Sequence, residues 1–133
     1  MNEVFADSSY WIALLSPKDA LHEAARKYPC PDRLVISLAV QLEVMDAFSS
    51  PPYRRLASLF WAMTSSNSDI VVVDLSPDLL KQAVDLFEHR PDKSWPLTDC
   101  MSFVVMRERK ITDGLTADRH FEQAAFRALL RAP

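Results

Sequence analysis

The segment IVVVDLSPD, residues 70–78, constrains the fold of this chain more than any other stretch. Its leading residues, Ile70 to Val73, are β-branched, a type that loses rotamer freedom in a helix and packs well on a pleated sheet. Residues 70–75 therefore read as a strand. The chain then changes state at once. Ser76 supplies an N-cap, and Pro77 takes the first helical position, where its missing N–H costs nothing. The helix so opened runs to about His89. A strand that passes directly into a helix is the building unit of an α/β sheet.

The same alternation recurs along the sequence. EVFAD (3–7) reads as a strand, and SSYWIALL follows it with helical spacing behind Ser8 or Ser9 as cap. A second helix is expected over 18–28, after Ser16-Pro17, and PCPDR (29–33) is a loop. LVIS (34–37) is a buried strand candidate, and apolar residues at spacings of three and four make 38–48 a helix that carries Glu43. SSPP ends that helix, and an amphipathic helix over 53–64 leads to the turn SSNSD. Beyond His89 come the irregular loop RPDKSWP, a helix over 99–109, a strand over 115–118, a short helix over 119–124 and a last strand over 126–130. The pattern predicts one α/β domain over residues 1–133, with a mainly parallel sheet of four to five strands flanked by helices. A chain of this length buries a single sizeable core. One position runs against local rules: a helix ending at Arg109 favours glycine next, and Lys110 stands there. A non-glycine residue in left-handed geometry costs roughly 1–2 kcal/mol, so that turn is expected to be reshaped.

The formal net charge of -3 provides no overall basic field. Binding a polyanion then needs local basic patches, bound cations, or both. Cys30 and Cys100 form neither a CxxC pair nor a disulfide framework, which points to a reducing cytoplasm. The amino terminus lacks a basic n-region, and no apolar run is long enough to span a bilayer, so a soluble cytoplasmic protein is expected. Gly114 is the only glycine. A Walker loop or a dinucleotide fingerprint needs several, so that backbone can approach phosphate. ATP, GTP and NAD are therefore not expected.

What remains is acidic. Asp7 closes the first strand and Asp118 a later one, Asp99 opens a helix, and Glu43 lies about one turn into the helix behind LVIS. In parallel α/β sheets, sites form at the carboxyl ends of the strands, and the helices that follow strands start on that side. These acids then converge on one edge, where their mutual repulsion calls for a divalent cation. Hard oxygen donors suit Mg²⁺ or Mn²⁺, and the histidines offer no zinc-like spacing. For any single one of the 18 acids, a helix cap or a solvated side chain is the ordinary reading. Position strengthens the case for Asp7 and Asp118, and the apolar neighbours Leu42, Val44 and Met45 strengthen it for Glu43. The residues alone reach as far as a metal-dependent hydrolase.

The stretch DKSWPLTDCMSFVVMRERKITDGLTADRHFEQAAF resembles the carboxyl-terminal half of PIN-domain ribonucleases. FADSSYWIALL is similar to that family's opening strand with its first acid, and LVISLAVQLEVMDAF to its central Glu helix. The resemblance spans nearly the whole chain in the right order. It implies an acidic quartet at Asp7, Glu43, Asp99 and Asp118, supported by Ser8 and Thr98. It also implies hydrolysis of RNA phosphodiester bonds by a water that Mg²⁺ or Mn²⁺ activates. Asp7, Asp99 and Asp118 would hold the ion, with Glu43 at a second ion or at the attacking water. Asp46 and Asp113 stand in reserve. Lys110 and Ala125 depart from the family where glycine is common, which touches local turns only. The compact size resembles VapC-type toxins, implying a homodimer and a small antitoxin whose tail occupies the site. Two other readings stay open: a PIN ribonuclease of RNA processing without an antitoxin, and a catalytically silent PIN fold that binds a partner. A phosphatase of the haloacid dehalogenase type needs an Asp two residues after the first, and Ser9 stands there.

Other features weigh less. Arg119 and His120 adjoin Asp118 and are candidate RNA contacts. Arg54-Arg55 and the run 107–110 read equally as RNA-backbone contacts or as solvated helix ends. Cys100 reads as a small buried filler. Trp11, Trp61 and Trp95 read as core, with Trp11 and Trp61 also possible partner anchors.

Overall fold

The computed structural model describes residues 2–131. Its strands are β1 (Glu3–Ala6), β2 (Arg33–Ser37), β3 (Ile70–Val73), β4 (Asp113–Leu115) and β5 (Arg127–Ala128). Its α-helices are α1 (Ser8–Leu15), α2 (His22–Lys27), α3 (Leu38–Ala47), α4 (Arg54–Ser66), α5 (Pro77–His89), α6 (Leu97–Glu108) and α7 (Arg119–Gln123), with a 3-10 turn at Pro51–Tyr53 before α4. Among the described residues the sheet has five strands, all parallel, in the order β3-β2-β1-β4-β5. The α/β expectation and the parallel sheet are borne out.

Burial follows that order. β1 and β2 lie inside, and Val4, Phe5, Ala6, Val35 and Ile36 are almost wholly buried. The run with the strongest strand signature, β3, is an edge strand and only half-buried. α1 packs on α2 and α3, α3 on α4, and α5 on α6. In α6 every residue from Asp99 to Met106 is buried, so this helix is apolar all round and acts as a core element. From β1 the chain builds outward through β2 and β3, then returns to the other side of β1 with β4. The gap between β1 and β4 is thus the point where the winding reverses, and in open α/β sheets the crevice for chemistry lies there, beyond the strand carboxyl ends.

Several boundaries differ from expectation. α2 begins at His22, not residue 18, because the Asp19 carboxylate accepts the Leu21 N–H at 2.9 Å and locks a turn ahead of it. β4 ends at Leu115, not Asp118, since the Thr116 hydroxyl accepts the Asp118 N–H at 3.0 Å and turns the chain away from the ladder. β5 is confined to Arg127–Ala128, and the Arg131 N–H bonds back to the Ala128 carbonyl in a closing turn. α6 begins at Leu97, which puts Asp99 inside its first turn. Asp7, rather than Ser8 or Ser9, takes the N-cap position of α1, with extended backbone and no side-chain capping bond. Ser76 caps α5 as expected, accepting the Leu79 N–H at 3.0 Å. The turn after α6 is not reshaped. Lys110 adopts φ 58, and the Ile111 N–H reaches the Met106 carbonyl at 2.8 Å, the closure usually made with glycine. Ala125 repeats it after α7 at φ 71. Trp11 and Trp95 are core, but Trp61 is 42% exposed on α4.

Candidate active site

Thr116 organises the edge between β1 and β4. It is fully buried just past the end of β4, and its hydroxyl donates to Asp7 Oδ2 at 2.9 Å while accepting the Asp118 N–H at 3.0 Å. One side chain thereby ties the first acid to the last across more than a hundred residues of sequence. The Asp7 backbone joins the same edge, its N–H donating to the Leu115 carbonyl at 3.1 Å. Ser9 Oγ lies 3.3 Å from Asp7 Oδ2 and 3.2 Å from Thr116 Oγ1, and its single proton serves one of them.

Asp7 is 4% exposed. Burial pushes its carboxyl above the usual range, against the lowering effect of Thr116 and the Ser8 amide, and the Asp118 charge adds to the rise. Glu43 reaches the site from α3. Burial raises its pKa first and the Asp7 charge second, opposed by hydrogen bonds from Thr98, whose Oγ1 lies 3.4 Å from Oε2, and from Ser8. Thr98 thus touches Glu43, and Ser8 lies near enough to influence it. Asp99, 7% exposed at the start of α6, is pushed up to about 8 by burial and then by the charges of Asp7, Asp118 and Glu43. Asp118 caps α7, accepting the His120 N–H on Oδ1 at 2.9 Å. The four acids therefore stand close enough to disturb one another at the reversal point of the sheet.

His120 departs furthest from the sequence reading. Its ring does not reach out as a bare substrate contact. Nδ1 lies 3.0 Å from Asp99 Oδ2 and 3.2 Å from Asp118 Oδ1, with only 17% of the side chain exposed. Among the described residues, ligand atoms of Asp99, Asp118 and His120 all lie within 4.8 Å of one another. Asp7 and Glu43 flank that group. The donor set is rich in carboxylate oxygen and short of compensating cations, which fits a hard divalent ion.

Other candidates fall elsewhere. Asp113 opens β4, at the opposite edge of the parallel sheet, where it faces Arg127 Nη1 at 3.5 Å. Asp46 is exposed on α3 beside Phe48, Ser49 and Arg54. Neither joins the quartet. Arg109 also lies at the far edge, bonded to Glu3 through Nε at 3.2 Å and Nη2 at 2.9 Å, so the 107–110 run does not border the acids. Arg54 is exposed and donates to the Ser49 carbonyl, and Arg119 is exposed beside Asp118. Cys100 is buried without exposure, a filler as expected. Thr116 and Arg131 went unnoticed in the sequence, and Ser9 was noticed only as a cap candidate. Arg131 donates to the Ala117 carbonyl at 3.2 Å, bringing a cation beside the Asp118 loop. A threonine two residues before an acid at a strand end was the available signal for Thr116.

The family described as "PIN domain" matches residues 4–127. The protein named 23S rRNA-specific endonuclease VapC20, from Mycobacterium tuberculosis strains H37Rv and CDC 1551, is 27% identical over 125 residues, covering 92% of this chain and 95% of that protein. A crystal structure of Mycobacterium tuberculosis VapC20, described as a sarcin-ricin loop cleaving toxin, superposes with a TM-score of 0.83 at 25% identity, over 92% of this chain and 95% of that one. With its all-parallel sheet, its acids at the winding reversal and a family match over nearly its full length, the chain belongs to the PIN domain family.

Proposed function

We propose that this protein is a metal-dependent endoribonuclease that hydrolyses RNA phosphodiester bonds, and that it is the toxin of a type II toxin–antitoxin pair. The observation that carries this reading is the meeting of Asp7, Glu43, Asp99 and Asp118 at one sheet edge, in a chain aligned end to end with an RNA endonuclease. A buried anionic site repels a phosphodiester unless a cation sits in it, so the acids and the RNA imply the same missing partner. When bound, Mg²⁺ or Mn²⁺ supplies Lewis acidity and lowers the pKa of a coordinated water.

The chain's own residues do the rest. Asp99 and Asp118 would offer carboxylate oxygens to the ion, and the Thr116 hydroxyl fixes the Asp7 carboxyl at the end of β1, opposing the burial that disfavours its ionised form. Glu43, held by Thr98, would accept a proton from the attacking water. Arg119 and Arg131 lie where they can meet RNA phosphates outside the acids. A small antitoxin and a second copy of the chain complete the set of partners, and the exposed Leu59 and Trp61 of α4 and Leu80 and Phe87 of α5 leave apolar surface for protein contacts. No helix among the described residues is long and apolar enough to cross a membrane, in keeping with action on cytoplasmic RNA.

The test begins with 23S ribosomal RNA, the substrate named for the relatives, alongside a mixed RNA pool. Purified protein with Mg²⁺ or Mn²⁺ should leave 5′-phosphate and 3′-hydroxyl ends, and EDTA should stop the reaction. Cyclic 2′,3′-phosphate ends that persist in EDTA would refute the metal route. Metal binding without cleavage of any RNA would point instead to a silent fold.

A further inference from the structure

We infer that His120 is itself a metal ligand through Nδ1, which gives the site a mixed nitrogen and oxygen donor set that prefers a first-row transition ion such as Mn²⁺ over Mg²⁺. This rests on the metal-dependent reading above and specifies its cofactor. The carrying observation is spacing. Octahedral bonds of about 2.1 Å at right angles place neighbouring donor atoms about 3.0 Å apart. In the metal-free fold His120 Nδ1 hydrogen-bonds Asp99 Oδ2 at 3.0 Å and lies 3.2 Å from Asp118 Oδ1, and the same separations suit neighbouring donors on one ion.

The placement is built by the fold. Asp118 caps α7 through the His120 N–H, so the histidine follows its neighbour acid at a set angle. Phe121, the next residue, is fully buried against Phe5 and Phe103 and anchors the helix. Gln123, a turn further on, accepts a hydrogen bond from Trp95 Nε1 at 3.0 Å, which ties α7 to the loop that delivers Asp99. The ring is therefore held at both ends of its helix. Coordination through Nδ1 leaves the ring proton on Nε2 and the imidazole neutral, the form that binds metals. Imidazole nitrogen suits transition ions, whereas Mg²⁺ takes oxygen and keeps its waters.

The chain has three histidines, and the other two are engaged elsewhere. His22 Nδ1 meets the Ala13 carbonyl at 2.8 Å, and His89 Nδ1 the Asp85 carbonyl at 2.6 Å on exposed α5. Each keeps its second ring nitrogen, so a nitrogen signal from bound Mn²⁺ is assigned to His120 by its loss in His120→Gln. The full-length wild-type protein is stripped with EDTA, loaded with one equivalent of MnCl₂ and measured by pulsed EPR, with a ¹⁵N-histidine-labelled sample as control. The inference expects directly bound histidine nitrogen whose coupling changes with the isotope. Calorimetric titration with MnCl₂ and MgCl₂ then compares wild type with His120→Gln and His120→Asn. Losing a direct ligand should weaken Mn²⁺ binding by more than the roughly 10–100-fold that follows loss of an outer-shell partner, and Mg²⁺ binding far less. Oxygen-only coupling in the wild type overturns the inference whether or not the variants fold. Equal Mn²⁺ affinity in a folded variant does the same. If such a protein still cleaves RNA in a metal-dependent way, the nuclease reading stands and only the nitrogen ligand falls. If the wild type binds neither metal and cleaves nothing, both fall.

Discussion

Asp99 illustrates how a residue that costs stability can serve the chemistry proposed for it. Its carboxyl is buried beside three other acids, which in the metal-free protein costs free energy whenever it ionises. Asp99→Asn keeps the shape and removes the charge. Thermal melting in EDTA at pH 8 should show the variant more stable than wild type, while RNA turnover drops at least a hundredfold, about 2.7 kcal/mol of barrier. A variant both less stable and fully active would contradict the proposed role. Thr116 predicts the reverse balance. Thr116→Val keeps the volume but removes one hydrogen bond to a buried carboxylate and the side-chain acceptor of the Asp118 amide, a loss of about 1–3 kcal/mol by urea unfolding. Thr116→Ser retains the hydroxyl and should recover most of that stability and of the activity. Asp7, Asp99 and Asp118 were legible in the sequence because they sit at the ends of elements, and Glu43 because apolar neighbours flank it about a turn into its helix. Thr116 was not, because a threonine in a loop looks the same whether its hydroxyl faces water or another strand's carboxylate.

Among the elements, periodicity found the helices and β-branched runs found the strands, while side-chain hydrogen bonds moved the ends. Asp19 delays α2 and Thr116 shortens β4, both through bonds that compete locally with the ladder or helix. The helix ends also carry a measurable irregularity. Lys110 and Ala125 hold left-handed backbone without being glycine. Releasing the Cβ conflict gains roughly 1–2 kcal/mol, and the added freedom of the unfolded chain takes back about 0.4–1 kcal/mol. Lys110→Gly, exposed and remote from the acids, should therefore raise the urea midpoint by the equivalent of about 0.5 kcal/mol without altering RNA cleavage. A lower midpoint would show that the lysine stem packs usefully on its surroundings. Of the two sequence readings of Trp61, core residue and partner anchor, its 42% exposure removes the first. The residue shares helix α4 with the buried Phe60, and adjacent positions on a helix face different ways.

At the scale of the molecule, the acidic edge links pH, metal and folding. In the unfolded chain Asp99 releases its proton near 3.8, whereas in the metal-free fold it holds it to about 8, with Asp7 and Glu43 shifted in the same direction. Between those values the native state binds more protons than the unfolded one, so its stability falls as pH rises from about 4 to about 8. On the proposed reading, a metal ion binds the ionised form and opposes this. A ligand at a hundredfold excess over its Kd adds about 2.7 kcal/mol, and since Kd itself tightens with pH, a fixed Mn²⁺ concentration should raise Tm more at pH 8 than at pH 5. Melting curves in EDTA and in Mn²⁺ across that range check both signs; a metal-induced rise that is flat with pH would place the ion away from these carboxylates. The sequence by itself determined the alternation of strands and helices, the parallel sheet it implies, and the junctions where acids stand, because periodicity, capping and turn chemistry act over a few residues. Only the tertiary structure decided which junctions share an edge. Asp113 and Asp118 are five residues apart, yet the short strand β4 between them sends one to each side of the sheet. The strand order likewise set Thr116 against Asp7 and His120 against Asp99, pairings made across 109 and 21 residues. Contacts at those separations depend on how the strands are ordered, and no local pattern in the chain encodes that order.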